Sequence, residues 1–402
     1  MEINKPQLFI EVDDTEFKFL VVKYNENLNF DVIYFNKINA SGVLNGKIVD
    51  VDISSKIFKE QLNILEEKIN YFFKDAFIIV NFNDFQSVNI SGYKKLNGSQ
   101  ILKEDISFIL NDIKKLILDT NQNLSIIHLF NSNYILDNEN VNKLPVGLYG
   151  EFYNQHMTFF LTNKNNIKNL KLVLNNCDIN IKRVIFKPFA MGVKNLLVRE
   201  LNNNYIFIYL NKNKSNIFIF KNSSLSYSES FLFGTDIIQS DISKVCSLDK
   251  QIVKKIFADI CFDEFLENNL KKKGYLEKKY FEGINYRKIS LEHLNDILTA
   301  RIEEIINIIY TKNNNLKYMN NENIKIQLIF SDKNALINLN NNFKKCFINN
   351  AKIEILESIE ENEKSSMLGA AELVFKGWEK EAIPFVESKK SFISKVFSYL
   401  FH

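Results

Sequence analysis

The feature that most constrains the fold of this chain is a strand–turn–strand–strand pattern that occurs twice. The predicted strands are Leu8–Val12, Phe17–Lys23 and Val32–Phe35 in the first copy, and Tyr205–Leu210, Ile217–Lys221 and Phe231–Phe233 in the second. Each run is rich in β-branched and aromatic residues, and polar turn residues bound it, which is typical of strands joined by tight turns. Helical periodicity follows each copy, over Ile57–Phe72 in the first and over Ile237–Cys246 and Lys250–Glu264 in the second. The repetition predicts an α/β fold with two related halves.

A different pattern interrupts the first half. Short apolar runs, which we interpret as strands, surround a predicted amphipathic helix at Lys103–Leu118. These strands are Gln86–Ile90, Ser125–Phe130, Asn133–Leu136 and His156–Leu161. The pattern predicts a small α+β module inserted over residues 82–162.

The rest of the chain divides around this module. The predicted divisions are 1–81 and 163–200 for the first half, 201–241 and 310–378 for the second half, and 242–309 for a further subdomain. The long amphipathic helix Ile289–Tyr310 belongs to that subdomain. Residues 379–390 are polar and irregular, and we expect them to form a linker before a terminal segment at 391–402.

The terminal segment is the clearest amphipathic pattern in the chain. Its apolar residues fall on one broad helical face, Lys395 supplies positive charge, and no acidic side chain is present. The predicted membrane-binding residues are Phe392, Ile393, Lys395, Val396, Phe397, Leu400 and Phe401. Such a helix is suited to lie in the plane of an anionic bilayer surface. The alternative is a helix that packs on the chain's own core or on a partner.

Charge and cysteine content exclude several classes of protein. The 402 residues carry 51 Lys and Arg against 48 Asp and Glu, a net charge of +3, which excludes a nucleic-acid binder that is basic overall but not a local basic patch. The four cysteines form no C-x-x-C pair and the four histidines have no metal spacing, so we predict reduced thiols, no metal site and no catalytic residue. The N-terminus lacks the apolar core of a signal peptide, and no run of 18 apolar residues exists.

Short motifs along the chain carry a family resemblance. They are Gly42-Val43, Gly46, Ile48 and Asp50; Ser91-Gly92, Ile101, Glu104, Asp105 and Ile106; Gly234, Asp236, Ile238, Asp241 and Ile242; Arg287, Ile289, Ala300, Arg301, Glu303 and Glu304; and Gly369-Ala370-Ala371. Their order, the inserted module and the terminal amphipathic segment together resemble the FtsA family of bacterial cell-division proteins. That family belongs to the actin-like ATPase superfamily and is tethered to the membrane.

The resemblance implies a fold, a cofactor and a set of partners. The fold is the actin-like (Hsp70/actin ATPase) fold with an SHS2-type insertion, and the cofactor is ATP with Mg²⁺. The partners are the acidic C-terminal tail of FtsZ, an anionic membrane surface, other division proteins and further copies of the chain in filaments, with no nucleic acid. The candidate FtsZ contacts are Lys278, Lys279, Arg287, Lys288 and Arg301. The implied location is the cytoplasmic face of the membrane at the division site.

The phosphate loops depart from the family pattern. The first loop of the family reads D-I-G-T-S, whereas this chain has Glu11-Val12-Asp13-Asp14-Thr15, so a carboxylate replaces the glycine. The second loop, D-I-G-G-G-T-T-D in the family, is replaced by residues 209–216, which contain no glycine and no acid. The candidate nucleotide contacts are Asp13, Asp14, Thr15, Lys212, Asn213, Lys214, Ser215, Lys254 and Ser331. Either a divergent site still binds nucleotide, or the fold is catalytically silent, which we favour because hydrolysis needs an acid that positions a metal.

These observations favour an adaptor that tethers FtsZ filaments to the membrane and polymerises as actin does. The alternatives are an active ATPase or kinase of the same superfold, an actin-like adaptor of pilus assembly, and a soluble scaffold whose tail docks in a partner groove. The chain contains only 12 glycines, and those at motif positions such as Gly46, Gly234 and Gly369 are kept. Glycine is therefore lost mainly where nucleotide would bind.

Overall fold

The fold is seen in a computed structural model that describes residues 5–25, 29–141, 143–197, 204–262, 274–281, 285–316, 324–348 and 354–384. The chain divides into two compact units, residues 1–199 with 364–402, and residues 200–363. The predicted membrane-binding residues, Phe392 to Phe401, lie outside the described residues. Within the described ranges, no helix is long and apolar enough to cross a membrane.

A five-stranded sheet forms the centre of the first unit, in the order β11-β6-β1-β2-β3. Its strands are β1 (Pro6–Val12), β2 (Glu16–Tyr24), β3 (Phe30–Asn39), β6 (Asp75–Val80) and β11 (Asn180–Phe186). Strands β1, β2 and β3 pair antiparallel, whereas β6 runs parallel to both β1 and β11. A two-residue turn at Asn45-Gly46 joins a short separate hairpin of β4 (Val43–Leu44) and β5 (Lys47–Ile48).

Besides the helix of the inserted module, the described part of the first unit contains the helices α1 (Val51–Ile69), α3 (Lys164–Asn175), α4 (Lys187–Leu196) and α9 (Ser365–Lys376). Helix α1 buries Phe58, Leu62 and Leu65 against the sheet, as its periodicity predicts. Asn70 adopts a left-handed conformation (φ 54°) and ends this helix. Phe72, which the sequence assigns to the apolar face of the helix, therefore lies beyond it and is 82% exposed.

Helix α9 lies in the first unit, although the sequence assigns its residues to the second half. Gly369 permits close packing on α4, because a Cβ atom at this position would lie 2.0 Å from the carbonyl oxygen of Ala190. The Tyr24 hydroxyl donates a hydrogen bond to the carbonyl oxygen of Ala371 (2.9 Å), and burial raises the pKa of Tyr24. The small residues of α9 therefore allow it to pack closely on α4 and to contact Tyr24 of the first sheet.

The inserted module has its own sheet, in the order β18-β8-β10-β7, with β9 paired to β8. Its elements are β7 (Gln86–Lys95), helix α2 (Lys103–Thr120), β8 (Leu124–Leu136), β9 (Glu139–Val141), β10 (Phe152–Asn163) and β18 (Glu381–Pro384). Ile106, Ile109 and Ile113 of α2 are buried in the module's core. The sequence predicts two strands, but β8 is one continuous strand. Its polar middle is compatible with the sheet because the buried Asn131 accepts a hydrogen bond from the Gln155 side chain.

Strand β18 differs from the sequence-based expectation of a linker over residues 379–390. The backbone N–H of Asn131 donates to the carbonyl oxygen of Lys380 (2.8 Å), and Glu381 pairs with Phe130 in the sheet. The Glu381 carboxylate lies 2.5 Å from an Arg183 guanidinium nitrogen and 2.7 Å from His128 Nδ1. A short polar run becomes a strand here because buried partners satisfy its charge.

The second unit repeats the strand pairing of the first. Its strands are β12 (Asn204–Leu210), β13 (Ser215–Lys221), β14 (Ser224–Phe231), β15 (Ile324–Phe330), β16 (Glu354–Ile355) and β17 (Ile359–Glu360). Strand β12 is antiparallel to β13 and parallel to β15, as β1 is antiparallel to β2 and parallel to β6. The prediction of two related halves is confirmed.

The α-helices described in the second unit are α5 (Asp236–Val245), α6 (Lys250–Asp259), α7 (Leu291–Ile306) and α8 (Lys333–Ile348), and a wider helical turn at Asn307–Thr311 continues α7. The predicted strand at Phe231–Phe233 is wrong, because β14 begins at Ser224 and ends at Phe231. Asn222 (φ 48°) and Ser223 (φ 62°) form a two-residue turn of the kind that joins strands with native twist. Alternating serines hide this strand from a reading based on β propensity.

Candidate functional site

The β1–β2 turn, where the sequence places the first phosphate loop, is built around buried charge. Glu11 at the end of β1 is completely buried, and Asp13 begins the turn. The Lys187 ammonium lies 3.0 Å from Glu11 Oε1 and 2.8 Å from Asp13 Oδ2. Lys187 is the first residue of α4 and is itself buried, so a single cation joins both carboxylates.

Two further groups complete this buried cluster. The Lys18 ammonium, on β2, lies 3.4 Å from Glu11 Oε1, and the Ser366 hydroxyl on α9 donates a hydrogen bond to Glu11 Oε2. Burial by itself raises the pKa of Glu11, but the positive charges of Lys187 and Lys18 outweigh it and hold that pKa below its ordinary value. Glu11 is therefore ionised and neutralised from within the protein. We call Glu11, Asp13, Lys18, Lys187 and Ser366 the Glu11 cluster.

The rest of this turn is also engaged by the protein. Asp14 Oδ1 accepts a hydrogen bond from the backbone N–H of Gly46 (2.6 Å), and the carbonyl oxygen of Thr15 accepts one from Ala40 (2.9 Å). Gly46 has φ +75°, and a Cβ atom there would lie 2.5 Å from the carbonyl oxygen of Asn81. The carboxylates of Asp13 and Asp14 would repel a phosphate at this turn.

The β12–β13 turn, where the sequence places the second phosphate loop, is closed by backbone hydrogen bonds. Asn211 N–H donates to the carbonyl oxygen of Lys214 (2.9 Å). The N–H groups of Thr235 and Asp236, at the start of α5, donate to the carbonyl oxygens of Asn211 and Lys212 (both 2.9 Å). Helix N-terminal N–H groups are the donors that commonly bind phosphate, and here the turn itself occupies these two.

Gly234 makes this arrangement possible. A Cβ atom at this position would lie 2.0 Å from the carbonyl oxygen of Asn211 and 2.4 Å from that of Lys212. Ser215, a predicted nucleotide contact, is fully buried and donates to the carbonyl oxygen of Phe233 (2.9 Å), so its hydroxyl is directed into the protein. Asn213 is exposed at the tip of the turn.

A cleft of about 240 Å³ lies in the second unit beside this turn. It brings together Lys212 and Lys254, two of the predicted nucleotide contacts. The other polar side chains that line it are Thr235, Asp236, Gln239, Asp332 and Asn334. Lys212 is 61% exposed, and its ammonium lies 4.0 Å from Asp332 Oδ2. The adjacent Ser331 has a buried hydroxyl with no hydrogen-bond partner among the described residues.

The pair of ATP and Mg²⁺ that the resemblance implies does not fit these residues. Charges of the protein already neutralise Glu11 and Asp13, and the turn already uses two N–H groups at the start of α5. Within the described ranges, no group of three or more His, Cys, Asp or Glu residues is arranged to hold a metal ion. The cleft is also smaller than the roughly 300–1,000 Å³ typical of ligand pockets. The sequence could not show the first of these facts, because Lys187 and Ser366 are distant from Glu11 along the chain.

Most of the predicted FtsZ contacts lie together on the second unit. Lys278 lies over the ring of Tyr286 (6.0 Å to the centroid) and Lys288 over that of Tyr275 (5.8 Å), while the Arg287 guanidinium donates to the carbonyl oxygen of Ser247 (2.8 Å). Lys279 forms ion pairs with Asp259 (3.5 Å) and Glu277 (3.4 Å). We call Lys278, Lys279, Arg287 and Lys288, with Tyr275 and Tyr286, the basic–aromatic surface. Three further lysines of the same part of the sequence, Lys271, Lys272 and Lys273, lie outside the described residues.

Arg301, the remaining predicted FtsZ contact, is not part of the basic–aromatic surface, because its contacts lie elsewhere. Its guanidinium pairs with the carboxylate of Asp241 on α5 and lies 2.5 Å from that of Glu304 on its own helix. Hydrogen bonding to Asp241 raises the pKa of Arg301. Two carboxylates hold this side chain, so its contacts join α5 and α7.

The chain is similar in sequence to known proteins. A family model described as the SHS2 domain inserted in FtsA matches residues 83–157, which cover most of the inserted module. FtsA of Buchnera aphidicola subsp. Acyrthosiphon pisum is 21% identical over 305 residues, 75% of this chain and 71% of that protein. FtsA of Streptococcus pneumoniae serotype 2 is 20% identical over 299 residues, 74% of this chain and 64% of that protein. The chain is a divergent FtsA-like protein.

The fold of this FtsA-like chain is also seen in a solved structure. The PilM–PilN type IV pilus biogenesis complex contains a chain that is 8% identical, with a TM-score of 0.52 over 94% of this chain and 98% of that one. At this identity the likeness concerns the fold alone. The predicted actin-like fold with an SHS2-type insertion is confirmed.

Sequence reasoning about the FtsA-like chain missed the cations of the Glu11 cluster. The available signal was two lysines in strongly apolar surroundings, Lys18 between Phe17 and Phe19, and Lys187 between Phe186 and Pro188. A lysine at such a position is buried only when it is paired. That signal predicts a buried partner carboxylate without saying which one.

Proposed function

We propose that this FtsA-like chain is a cell-division adaptor whose actin-like core serves as a scaffold and does not hydrolyse nucleotide. The division role is supported by the similarity to FtsA proteins along three quarters of the chain and by the match of the inserted module. The scaffold role rests on one observation, the Lys187 ammonium that bridges Glu11 and Asp13. A phosphate at this turn would have to displace a buried ion pair.

The test of the scaffold role is nucleotide binding by the full chain. We expect millimolar ATP with Mg²⁺ to shift the melting temperature by less than about 1 °C, because a ligand that binds the folded state weakly or not at all adds almost no stability. The matched measurement uses Lys254→Met, which alters the cleft of the second unit. A rise of several degrees in the unaltered protein, lost in Lys254→Met, would contradict a silent core and favour an active ATPase or kinase.

The proposed FtsZ contact is the basic–aromatic surface. Lys278 and Lys288 lie over exposed tyrosine rings, so a peptide can meet charge and apolar area side by side. We expect an acidic FtsZ tail peptide to bind with an affinity that falls as salt rises, since surface charges are screened. Lys278→Glu with Lys288→Glu should weaken binding by about tenfold or more, and Lys345→Glu on α8 serves as the control. An equal loss of peptide binding in the control would show that this surface is not the binding site.

The proposed membrane contact is the segment 391–402, which lies outside the described residues. Its support is the apolar face that the sequence places at Phe392 to Phe401. We expect Phe397→Glu to abolish sedimentation with anionic vesicles, and Ser398→Gln to preserve it. This outcome separates the adaptor from a soluble scaffold, for which Phe397→Glu would leave sedimentation with vesicles unchanged. The proposed location is the cytoplasmic face of the membrane at the division site.

Self-association through the inserted module completes the proposal. Large apolar side chains are exposed on this module, among them Tyr93, Leu148, Tyr149 (71% exposed) and Phe152. Exposed apolar groups of this kind mark interaction surfaces, and a head-to-tail contact extends into a filament when it does not close. We expect Tyr149→Asp to reduce concentration-dependent sedimentation of the protein relative to Phe72→Asp, a similar change outside the inserted module.

A pilus-assembly adaptor remains the second candidate, because the likeness to the PilM–PilN complex covers nearly the whole chain. The sequence similarity to FtsA favours the division role over it. Capture of an FtsZ tail peptide by the full chain discriminates between the two. A pilus-type adaptor would leave that peptide unbound at low salt.

A further inference from the structure

Strand β18 and the residues just before it contact both the inserted module and a helix outside it. The Trp378 ring packs against the Phe189 ring of α4 (6.3 Å between centroids). The Lys380 ammonium lies over the ring of Tyr134 on β8 (4.9 Å to the centroid). We call residues 378–384 the strap, because they extend from α4 to the edge strand of the module's sheet.

The centre of the strap is a buried carboxylate. Glu381 Oε1 lies 2.5 Å from a guanidinium nitrogen of Arg183 on β11 and 2.7 Å from His128 Nδ1 on β8. The Arg183 side chain is 8% exposed, and the other two are buried more deeply. Burial by itself raises the pKa of Glu381, but the hydrogen bond with His128 and the charge of Arg183 hold that pKa below its ordinary value. An ionised carboxylate therefore fastens the strap to a strand of each sheet.

The contacts of both ring nitrogens determine where His128 carries its proton. Its Nε2 atom accepts a hydrogen bond from the backbone N–H of Phe186 (2.9 Å). The proton therefore lies on Nδ1, which donates to Glu381. A second proton on Nε2 would face the N–H group of Phe186, so this arrangement requires a neutral imidazole.

The surroundings of His128 also favour the neutral form. The side chain is fully buried, and the rings of Phe130 and Phe189 pack against it. Among the described residues, the charged groups that face it are Glu381 from β18 and Arg183 from β11. Burial lowers the pKa of His128, and its interactions with Glu381 only partly oppose this.

Phe186 connects this imidazole to the Glu11 cluster. It is the last residue of β11 and the residue before α4, so Lys187 follows it directly. Lys187 is the cation that joins the two carboxylates of the Glu11 cluster. A continuous series of contacts therefore leads from Glu381 through His128 and the backbone of Phe186 to Lys187.

The strap is suited to leave β8 while the rest of the fold stays intact. Its strand contains only four residues, Glu381–Pro384. It follows Gly377, which has φ +72° and is surrounded by open space, since a Cβ atom there would meet nothing within 4 Å. Short elements at the edge of a structure open at a small part of the free energy of global unfolding.

We propose that the strap is a releasable conformational device that couples the inserted module to the Glu11 cluster, with His128 as the positioning residue between them. While β18 is paired with β8, Glu381 keeps the His128 proton on Nδ1, and Nε2 is available to the N–H group of Phe186. When the strap leaves, His128 loses this orientation and the start of α4 loses a hydrogen bond. Any event that removes β18 from β8 therefore alters the surroundings of Lys187, whether or not the proposed function is correct.

Hydrogen exchange in the full chain tests the coupling. Ala382 packs on the core of the inserted module, so Ala382→Asn should release the strap without a change of charge. We expect two peptides to exchange about tenfold faster, the one that contains Asn131, whose N–H donates to the carbonyl oxygen of Lys380, and the one that contains Phe186. Glu379→Gln, an exposed neighbour, should leave both unchanged.

Each other pattern of exchange would overturn the proposal. Faster exchange at Asn131 alone would show that the strap is released without coupling, and unchanged exchange at both sites would show that it is not released. Equal acceleration in helix α1 would show that the strap leaves only when the unit unfolds. Glu381→Gln, which keeps the size of the side chain, should give the same pattern as Ala382→Asn, so the test does not depend on one variant.

The ¹⁵N spectrum of histidine-labelled protein tests the role of His128, because a merely structural contact would not change it. The chain has four histidines, and the signal of His128 is the one lost in His128→Gln. We expect this imidazole to stay neutral, with its proton on Nδ1, below the ordinary histidine pKa of about 6.5. In Ala382→Asn it should titrate closer to that ordinary value, because release of the strap exposes it to water. The same tautomer and titration in both proteins would overturn the assignment of His128 as the positioning residue.

Discussion

The two halves of the protein close the same turn in two different ways. In the first unit, the turn after β1 is filled by the Glu11 cluster, in which a buried lysine joins two carboxylates. In the second unit, the turn after β12 is held by N–H groups at the start of α5, and one of its two lysines, Lys212, is exposed. Both turns lack the glycines of the family's phosphate loops, while the strand pairing around them is the same.

The difference lies in what each turn depends on. The first turn depends on charge in a low-dielectric interior, where removal of one partner leaves the other ion unpaired. The second depends on close approach of two backbone segments, which only the missing Cβ atom of Gly234 allows. The same strand pairing can therefore be kept while the two turns are stabilised by different contacts within the protein.

The largest expected effect is the loss of the buried cation. We expect Lys187→Met to lower the free energy of unfolding by about 3–5 kcal/mol, because Glu11 then remains buried and ionised. Lys212→Met, the matched change in the second turn, should alter it by less than about 0.5 kcal/mol. Urea unfolding measures both. If the double variant Glu11→Leu/Lys187→Met is as unstable as Lys187→Met, the unpaired charge is not the cause.

The next effect tests the backbone contacts of the second turn. We expect Gly234→Ala to cost about 1–3 kcal/mol, since the new methyl group would overlap two carbonyl oxygens. Gly274→Ala in the same unit is the control, because its methyl group would meet only a Leu291 methyl at 2.9 Å, which can move. Equal costs for the two variants would show that the turn tolerates displacement.

A smaller effect distinguishes the turns by pH. The pKa of Glu11 is lowered in the folded protein, so its ionised form stabilises the fold at pH values above the ordinary pKa of a glutamate, about 4.3. This stabilisation is lost as the pH falls below that value and through the lower pKa of the folded state. We expect the stability difference between the protein and Glu11→Gln to shrink in this window, whereas the difference for Gly234→Ala should stay constant. Chemical unfolding from pH 6 to about pH 3 measures both.

The smallest expected effect is on anion binding. We expect inorganic pyrophosphate with Mg²⁺ to change the melting temperature by less than about 1 °C, because carboxylates at the first turn repel a phosphate and the N–H groups of Thr235 and Asp236 already donate to the second turn. Lys212→Met should give the same result. A rise of several degrees that Lys212→Met removes would show that the second turn still binds phosphate, and the comparison between the turns would then fail.

Local pattern was enough to predict much of the fold. The strands before and after each turn follow from dense β-branched and aromatic runs, and α2 and α7 follow from their apolar spacing. Local pattern fails for two strands. Alternating serines hide β14, whereas Glu381 resembles part of a linker because its partners, Arg183 and His128, are far away in the chain.

The candidate site shows the same difference between local pattern and remote contacts. The loss of glycine from both phosphate loops is visible in the sequence, and so are the carboxylates at Glu11, Asp13 and Asp14. Whether those carboxylates face solvent, a metal ion or a lysine is not encoded locally. Lys187 and Ser366 reach Glu11 only because α4 and α9 pack beside the first sheet.

The sequence by itself determined that this chain has two related halves with an inserted module, and that its phosphate loops are altered. Periodicity and turn chemistry act over a few residues, so one chain is enough to reveal them. Only the tertiary structure decided which contacts each altered loop makes. Burial makes an unpaired charge costly, and its partner can come from any part of the chain that folding brings within about 3 Å.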